Sequence, residues 1–94
     1  MRTNIELKKA IKKLQIERLK LPKYSMFGDN NWGSIDTYIA ILTNTLNRKL
    51  SVTKIDEMLR DILDIYSGDF PPENTSDYWK VTALDYILEN REDI

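Results

Sequence analysis

The sequence predicts an all-α domain: a compact four-helix bundle with a long aromatic-containing loop between helices 1 and 2. Three observations lead there. Apolar residues recur at helical spacing in four separate stretches. No run alternates apolar and polar residues over a useful length, so no strand is indicated. Between the stretches stand prolines, glycines or residues that cap helices. The 94 residues suit a single domain, 1–94, near the lower end of what builds a core without cross-links.

Helix 1 is expected over about 4–21. Thr3 and Glu6 stand at the spacing at which a capping hydroxyl and a carboxylate satisfy each other's backbone donors. Leu7, Ala10, Ile11 and Leu14 form its stripe, with Arg18 in line and Leu21 closing it. Pro22 disfavours helical geometry at Leu21 and stops the helix. The connector 21–34 then carries Tyr24, Met26, Phe27 and Trp32 among turn formers. Large apolar groups in a loop either plug the core or meet a partner.

Helix 2 is expected over 34–49, starting near Ser34 with Asn31 as a competing cap. Its stripe is Ile35, Tyr38, Ile39, Leu42 and Leu46. Thr43, Asn44, Thr45 and Asn47 weaken its intrinsic propensity, so tertiary packing must hold its second half. Helix 3, over 53–67, takes Thr53 as its cap and buries Ile55, Leu59, Ile62, Leu63 and Tyr66, with Gly68 as its stop. Pro71-Pro72 keeps the next segment extended. Helix 4, over 76–90, starts after a Thr75 or Ser76 cap. Trp79, Ala83, Tyr86 and Ile87 line its inner face, broadened by Leu84 and Leu88.

Composition narrows the chemistry. There is no cysteine and no histidine, which removes disulfides, thiolate metal sites, the commonest general base and the commonest metal ligand. Met1–Leu21 mixes charged and apolar residues without a continuous apolar core, and no apolar run approaches a membrane span. The expectation is a cytoplasmic protein. Asn74-Thr75-Ser76 matches a glycosylation sequon only formally.

Asp29, Asn31 and Gly33 have the opening spacing of a calcium loop, but Ala40 stands where the chelating glutamate belongs. The segment reads as a turn, and neither metal nor cofactor is expected. Glu57, Asp61 and Asp64 share one helix face, with Asp56 adjacent. Without evidence of an apolar pocket they read as a solvated face, so the protein is expected not to be an enzyme.

Charge is unevenly distributed. Residues 1–23 hold eight basic and two acidic side chains, +6, whereas the remainder holds six basic and thirteen acidic, −7. Two binding surfaces follow. Asp56, Asp61, Asp64, Asp69 and Phe70, on helix 3 and the loop after it, suit a basic protein partner, with Phe27 and Trp32 as a second patch. Alternatively, Lys8, Lys9, Lys12, Lys13 and Lys20 on helix 1 could neutralise nucleic-acid phosphates. A third arrangement is a homodimer in which helix 1 of one chain meets the acidic face of the other. The plainest alternative is charge compensation within one chain. Recognition of DNA by helix 3 as the second element of a helix-turn-helix is disfavoured, because its carboxylates would be repelled.

The segment Leu21-Pro22-x-Tyr24-Ser25-x-Phe27-Gly28-Asp29-Asn30-Asn31 resembles one found in small proteins of bacteria, their phages and plasmids. The resemblance implies a compact accessory protein from a bacterial or mobile-element genome and brings no activity with it. Small acidic helical proteins of that origin are often inhibitors, antitoxins, immunity proteins or anti-defence factors. The function expected from the sequence is therefore a small non-catalytic inhibitor or regulator presenting an acidic helical face to a basic protein.

Overall fold

A computed structural model describes residues 1–20 and 31–92, with the backbone alone for 31–34. It is an all-α four-helix bundle: α1 (Asn4–Lys20), α2 (Asn31–Arg48), α3 (Val52–Ile65) and α4 (Ser76–Ile87). Residues 21–30, the first ten of the connector, lie outside the described residues. No strand occurs among the described residues.

The start of α1 follows its sequence. The Glu6 N–H donates to Thr3 Oγ1 at 3.2 Å, and the Thr3 N–H donates to Glu6 Oε1 at 3.3 Å. Arg2 adds a third tie, donating from Nη1 to Glu6 Oε2 at 3.0 Å. Its guanidinium and the Thr3 backbone hold the Glu6 carboxyl below its ordinary range. The same Arg2 donates from Nε to the Tyr86 carbonyl at 2.8 Å and from Nη2 to the Arg91 carbonyl. It also lies over the Tyr86 ring, 4.1 Å from the centroid. One side chain thus joins the start of α1 to the end of α4, where a cation is favoured by the helix dipole.

α2 begins a turn earlier than Ser34, at Asn31. Gly33 is carried in that first turn, where backbone N–H groups have no intrahelical partner to lose. The cap of α3 is Ser51, not Thr53: its hydroxyl accepts from the Lys54 N–H at 3.2 Å, and its carbonyl accepts from Ile55. Ser51 has the extended backbone a cap requires (φ −80°, ψ 163°) and Thr53 is already helical. α4 is capped by Thr75, which accepts from the Tyr78 N–H at 3.3 Å.

The C-termini of α2, α3 and α4 share one device. Lys49, Ser67 and Glu89 adopt left-handed backbone, with φ of 52°, 57° and 65°. Behind each, paired bonds close the helix: Leu50 to Thr45 and Lys49 to Leu46, Gly68 to Leu63 and Ser67 to Asp64, Asn90 to Asp85 and Glu89 to Tyr86. These are Schellman closures whose left-handed position holds a side chain instead of the usual glycine. Gly68, expected as the stop of α3, stands one residue beyond that position, also at positive φ (86°).

The helices pack in the order α1 on α2, α2 on α4, α4 on α3, and α1 makes at most marginal contact with α3. Leu7 and Leu14 of α1, Leu42 of α2, Ile55 of α3 and Leu84 and Ile87 of α4 are fully buried. Each contributes about 1.5–3 kcal/mol by leaving water. α4 is the central helix. Val81 and Thr82, which the expected inner face omitted, are buried too, because neighbours cover α4 on more than one side. The buried Thr45 and Thr82 hydroxyls donate to the Ile41 and Tyr78 carbonyls, both at 2.8 Å, so neither is left unsatisfied.

Candidate functional site

With α2 and α4 in the middle, α1 and α3 are edge helices, and each turns a charged outer face to solvent. On α3, residues 57, 61 and 64 follow at spacings of four and three, which puts Glu57, Asp61 and Asp64 on one exposed ridge. Asp69 follows, also exposed. Among the described residues, Asp61, Asp64 and Asp69 form no ion pair. Asp56 differs from them: it accepts from Arg60 Nε at 2.8 Å and is half-buried. Asp77, farther along, accepts from the Tyr66 hydroxyl at 2.8 Å and lies 3.9 Å from Lys80. That hydrogen bond, together with burial, raises the Tyr66 phenol above its ordinary range. Glu57 lies 3.9 Å from Lys54 Nζ. Three carboxylates of the acidic region, Asp56, Glu57 and Asp77, thus have partners within the chain, whereas Asp61, Asp64 and Asp69 form no ion pair among the described residues.

At the end of the ridge the aromatic residues form a chain. Phe70, 48% exposed, packs edge-on against Tyr78 with 5.3 Å between centroids. Tyr78 meets Trp79 at 4.6 Å, and Trp79 meets Tyr38 of α2 at 5.9 Å. Such T-shaped contacts are each worth about 0.5–1.5 kcal/mol beyond the area they bury. They fix Phe70 as a part-exposed ring on a rigid base. Burial also raises the Tyr38 phenol, as expected for the inner end of the chain. Ile65, 72% exposed, adds apolar surface on the outer side of α3.

On α1 the expected lysines are all exposed: Lys8, Lys9, Lys12, Lys13 and Lys20. Among the described residues, Lys8, Lys9, Lys12 and Lys20 form no ion pair. Arg18, in contrast, reaches Asp36 of α2 with 2.6 Å between Nε and Oδ1. Sequence reading missed the apolar residues among the lysines: Ile5, Ile16 and Leu19 are 68%, 47% and 81% exposed. At about 3.6 residues per turn they share with the five lysines an arc of about two-fifths of the helix. Their position off the 7, 10, 14 stripe was the available signal. Lys9, Lys12, Lys13, Ile16, Glu17 and Lys20 border a shallow groove of about 350 Å³, open to solvent.

Of the second expected patch, Phe27 lies outside the described residues, and Trp32 falls in the first turn of α2. Among the described residues no group of three or more carboxylates is placed to hold a metal ion. No helix of the described residues is long and apolar enough to cross a membrane.

The class that fold and site define is an all-α bundle with exposed lysines on its α1 flank and exposed carboxylates on its α3 flank. No family model, curated protein or solved structure matches the chain.

Proposed function

We propose that this protein is a non-catalytic inhibitor or regulator that binds a basic protein through its acidic flank, acting in the cytoplasm of a bacterium or on behalf of a mobile element. One observation carries the reading. Asp61, Asp64 and Asp69 are exposed and unpaired among the described residues, next to a part-exposed Phe70 seated on Tyr78. Carboxylates in water steer a cationic partner over distances near the Debye length, about 8 Å at physiological salt. An aromatic ring already held in place loses little freedom on binding, the property of an interface anchor.

Asp61, Asp64, Asp69 and Phe70 form the contact, Glu57 extends it, and Asp56 supports it from its pair with Arg60. The experiment is capture of protein from lysate of the source organism or its host, with nuclease present, by wild-type chain and by Asp61→Lys/Asp64→Lys. Loss of a stoichiometric protein by the variant, with helicity intact, supports the reading. Unchanged capture removes it.

A second reading, nucleic-acid binding by α1, is favoured by the unpaired Lys8, Lys9, Lys12 and Lys20. Phosphate contacts of that kind give affinity that falls steeply with salt. Ile5, Ile16 and Leu19 weigh against it, because a row of phosphates offers them nothing to pack on.

A further inference from the structure

We infer that the outer face of α1 docks the acidic flank of a second copy of this chain, so that the protein associates head to tail and its own basic face competes with the foreign partner. The inference rests on the proposed reading in one respect, that the α3 flank is the binding face. Among the described residues the two flanks do not compensate one another. α1 and α3 make at most marginal contact, so the basic and acidic helices do not neutralise one another. Lys8, Lys9, Lys12 and Lys20 on one flank, and Asp61, Asp64 and Asp69 on the other, stand unpaired among the described residues. Each flank is therefore the charge complement of the other.

The spacings match as well: Lys8 and Lys12 are four residues apart, as are Glu57 and Asp61. At about 1.5 Å per residue both intervals are about 6 Å. The lysines from 8 to 20 cover about 18 Å of helix and the carboxylates from 57 to 64 about 10 Å, so the acidic ridge fits within the basic one. Ile5, Ile16 and Leu19 interrupt the lysines, and Ile65 and Phe70 border the carboxylates. Single exposed apolar residues mean little. Here they occur on both of the complementary faces, where docking would cover them together. A phosphate backbone would satisfy the lysines alone.

Because two different patches meet, the contact is heterologous. A docked pair keeps one basic and one acidic face open, giving chains or a ring instead of a two-fold dimer. A foreign basic protein on α3 would displace the second copy, which makes self-association a brake on the binding activity.

The test uses sedimentation velocity on the whole chain over a range of concentrations at low and high salt. Wild type should associate at low salt, with affinity at least ~10-fold weaker at high salt as the charges are screened. Lys8→Glu/Lys9→Glu/Lys12→Glu should be monomeric alone, as should Asp61→Lys/Asp64→Lys, while an equimolar mixture of the two should associate. Circular dichroism confirms that both variants fold; the substituted residues are exposed. A wild type that stays monomeric at low salt overturns the inference, and so does a mixture that stays monomeric. A wild type that instead shifts duplex DNA in a Lys8/Lys9/Lys12-dependent manner assigns α1 to nucleic acid and also overturns it. Partner capture separates the two claims. If self-association fails while Asp61→Lys/Asp64→Lys still loses the captured protein, only this inference falls.

Discussion

α1 and α3 are alike in place and unlike in finish. Both are edge helices with one face in the core and one in water, and each carries outer charges that form no ion pair among the described residues, Lys8, Lys9, Lys12 and Lys20 on α1 and Asp61 and Asp64 on α3. The α3 flank ends in a built platform: Phe70 on Tyr78, Tyr78 on Trp79, and Tyr66 bonded to Asp77. The α1 flank carries long lysines and scattered apolar side chains with no such base. A pre-positioned aromatic ring lowers the entropy cost of recognition, whereas a row of lysines supplies mainly long-range attraction. The difference favours α3 for specific binding and α1 for weak, salt-sensitive contact.

Substitutions probe this contrast on a descending scale. The largest effect should come from the core under the α1 flank. Leu7→Ala empties a fully buried site and should cost about 2–5 kcal/mol in chemical denaturation. Arg2→Ala comes next. It removes the donor to the Tyr86 and Arg91 carbonyls and to Glu6, and should cost about 2 kcal/mol, charge-assisted bonds being worth about 1.5–3 kcal/mol each in favourable settings. On the α3 side the corresponding tie is smaller. Tyr66→Phe deletes the bond to Asp77 and should cost about 1 kcal/mol, with a modest loss of partner affinity as the platform loosens.

Two further tests concern the helix ends and pH. Lys49→Gly and Ser67→Gly should each raise stability by about 0.5–1 kcal/mol, since glycine relieves the left-handed backbone at both positions. Glu6 sets a difference in acid sensitivity. Its folded pKa lies below the unfolded value, so its contribution is present above the unfolded pKa and is lost as pH falls through the folded one. A stability–pH curve should show that loss on the acid side in wild type, and Arg2→Ala should flatten it.

The sequence announced helix starts better than helix stops, and the reason is chemical. The Thr3–Glu6 box and the Thr75 cap use residue types that name their role, although Ser51 took the place expected of Thr53. The Schellman positions hold Lys49, Ser67 and Glu89, none of which advertises a left-handed turn. Ends expected at residues 67 and 90 were consequently too late, against Ile65 and Ile87. The buried Val81 and Thr82 were hidden for another reason: a central helix has no single apolar stripe to read. The charge asymmetry was plain in the residue list. Whether it cancels within the chain depends on which helices touch, and only the packing order α1–α2–α4–α3 answers that. Likewise the ridge of carboxylates was legible, but the commitment of Asp56 to Arg60 and of Asp77 to Tyr66 was not.

The most direct test of the acidic flank as the working face is quantitative partner capture in the presence of nuclease. It compares wild type, Asp61→Lys/Asp64→Lys and Lys8→Glu/Lys9→Glu/Lys12→Glu at equal concentration. The account predicts that the aspartate variant loses the captured protein and the lysine variant retains it. Retention by the aspartate variant together with loss by the lysine variant would contradict the account and move the function to α1.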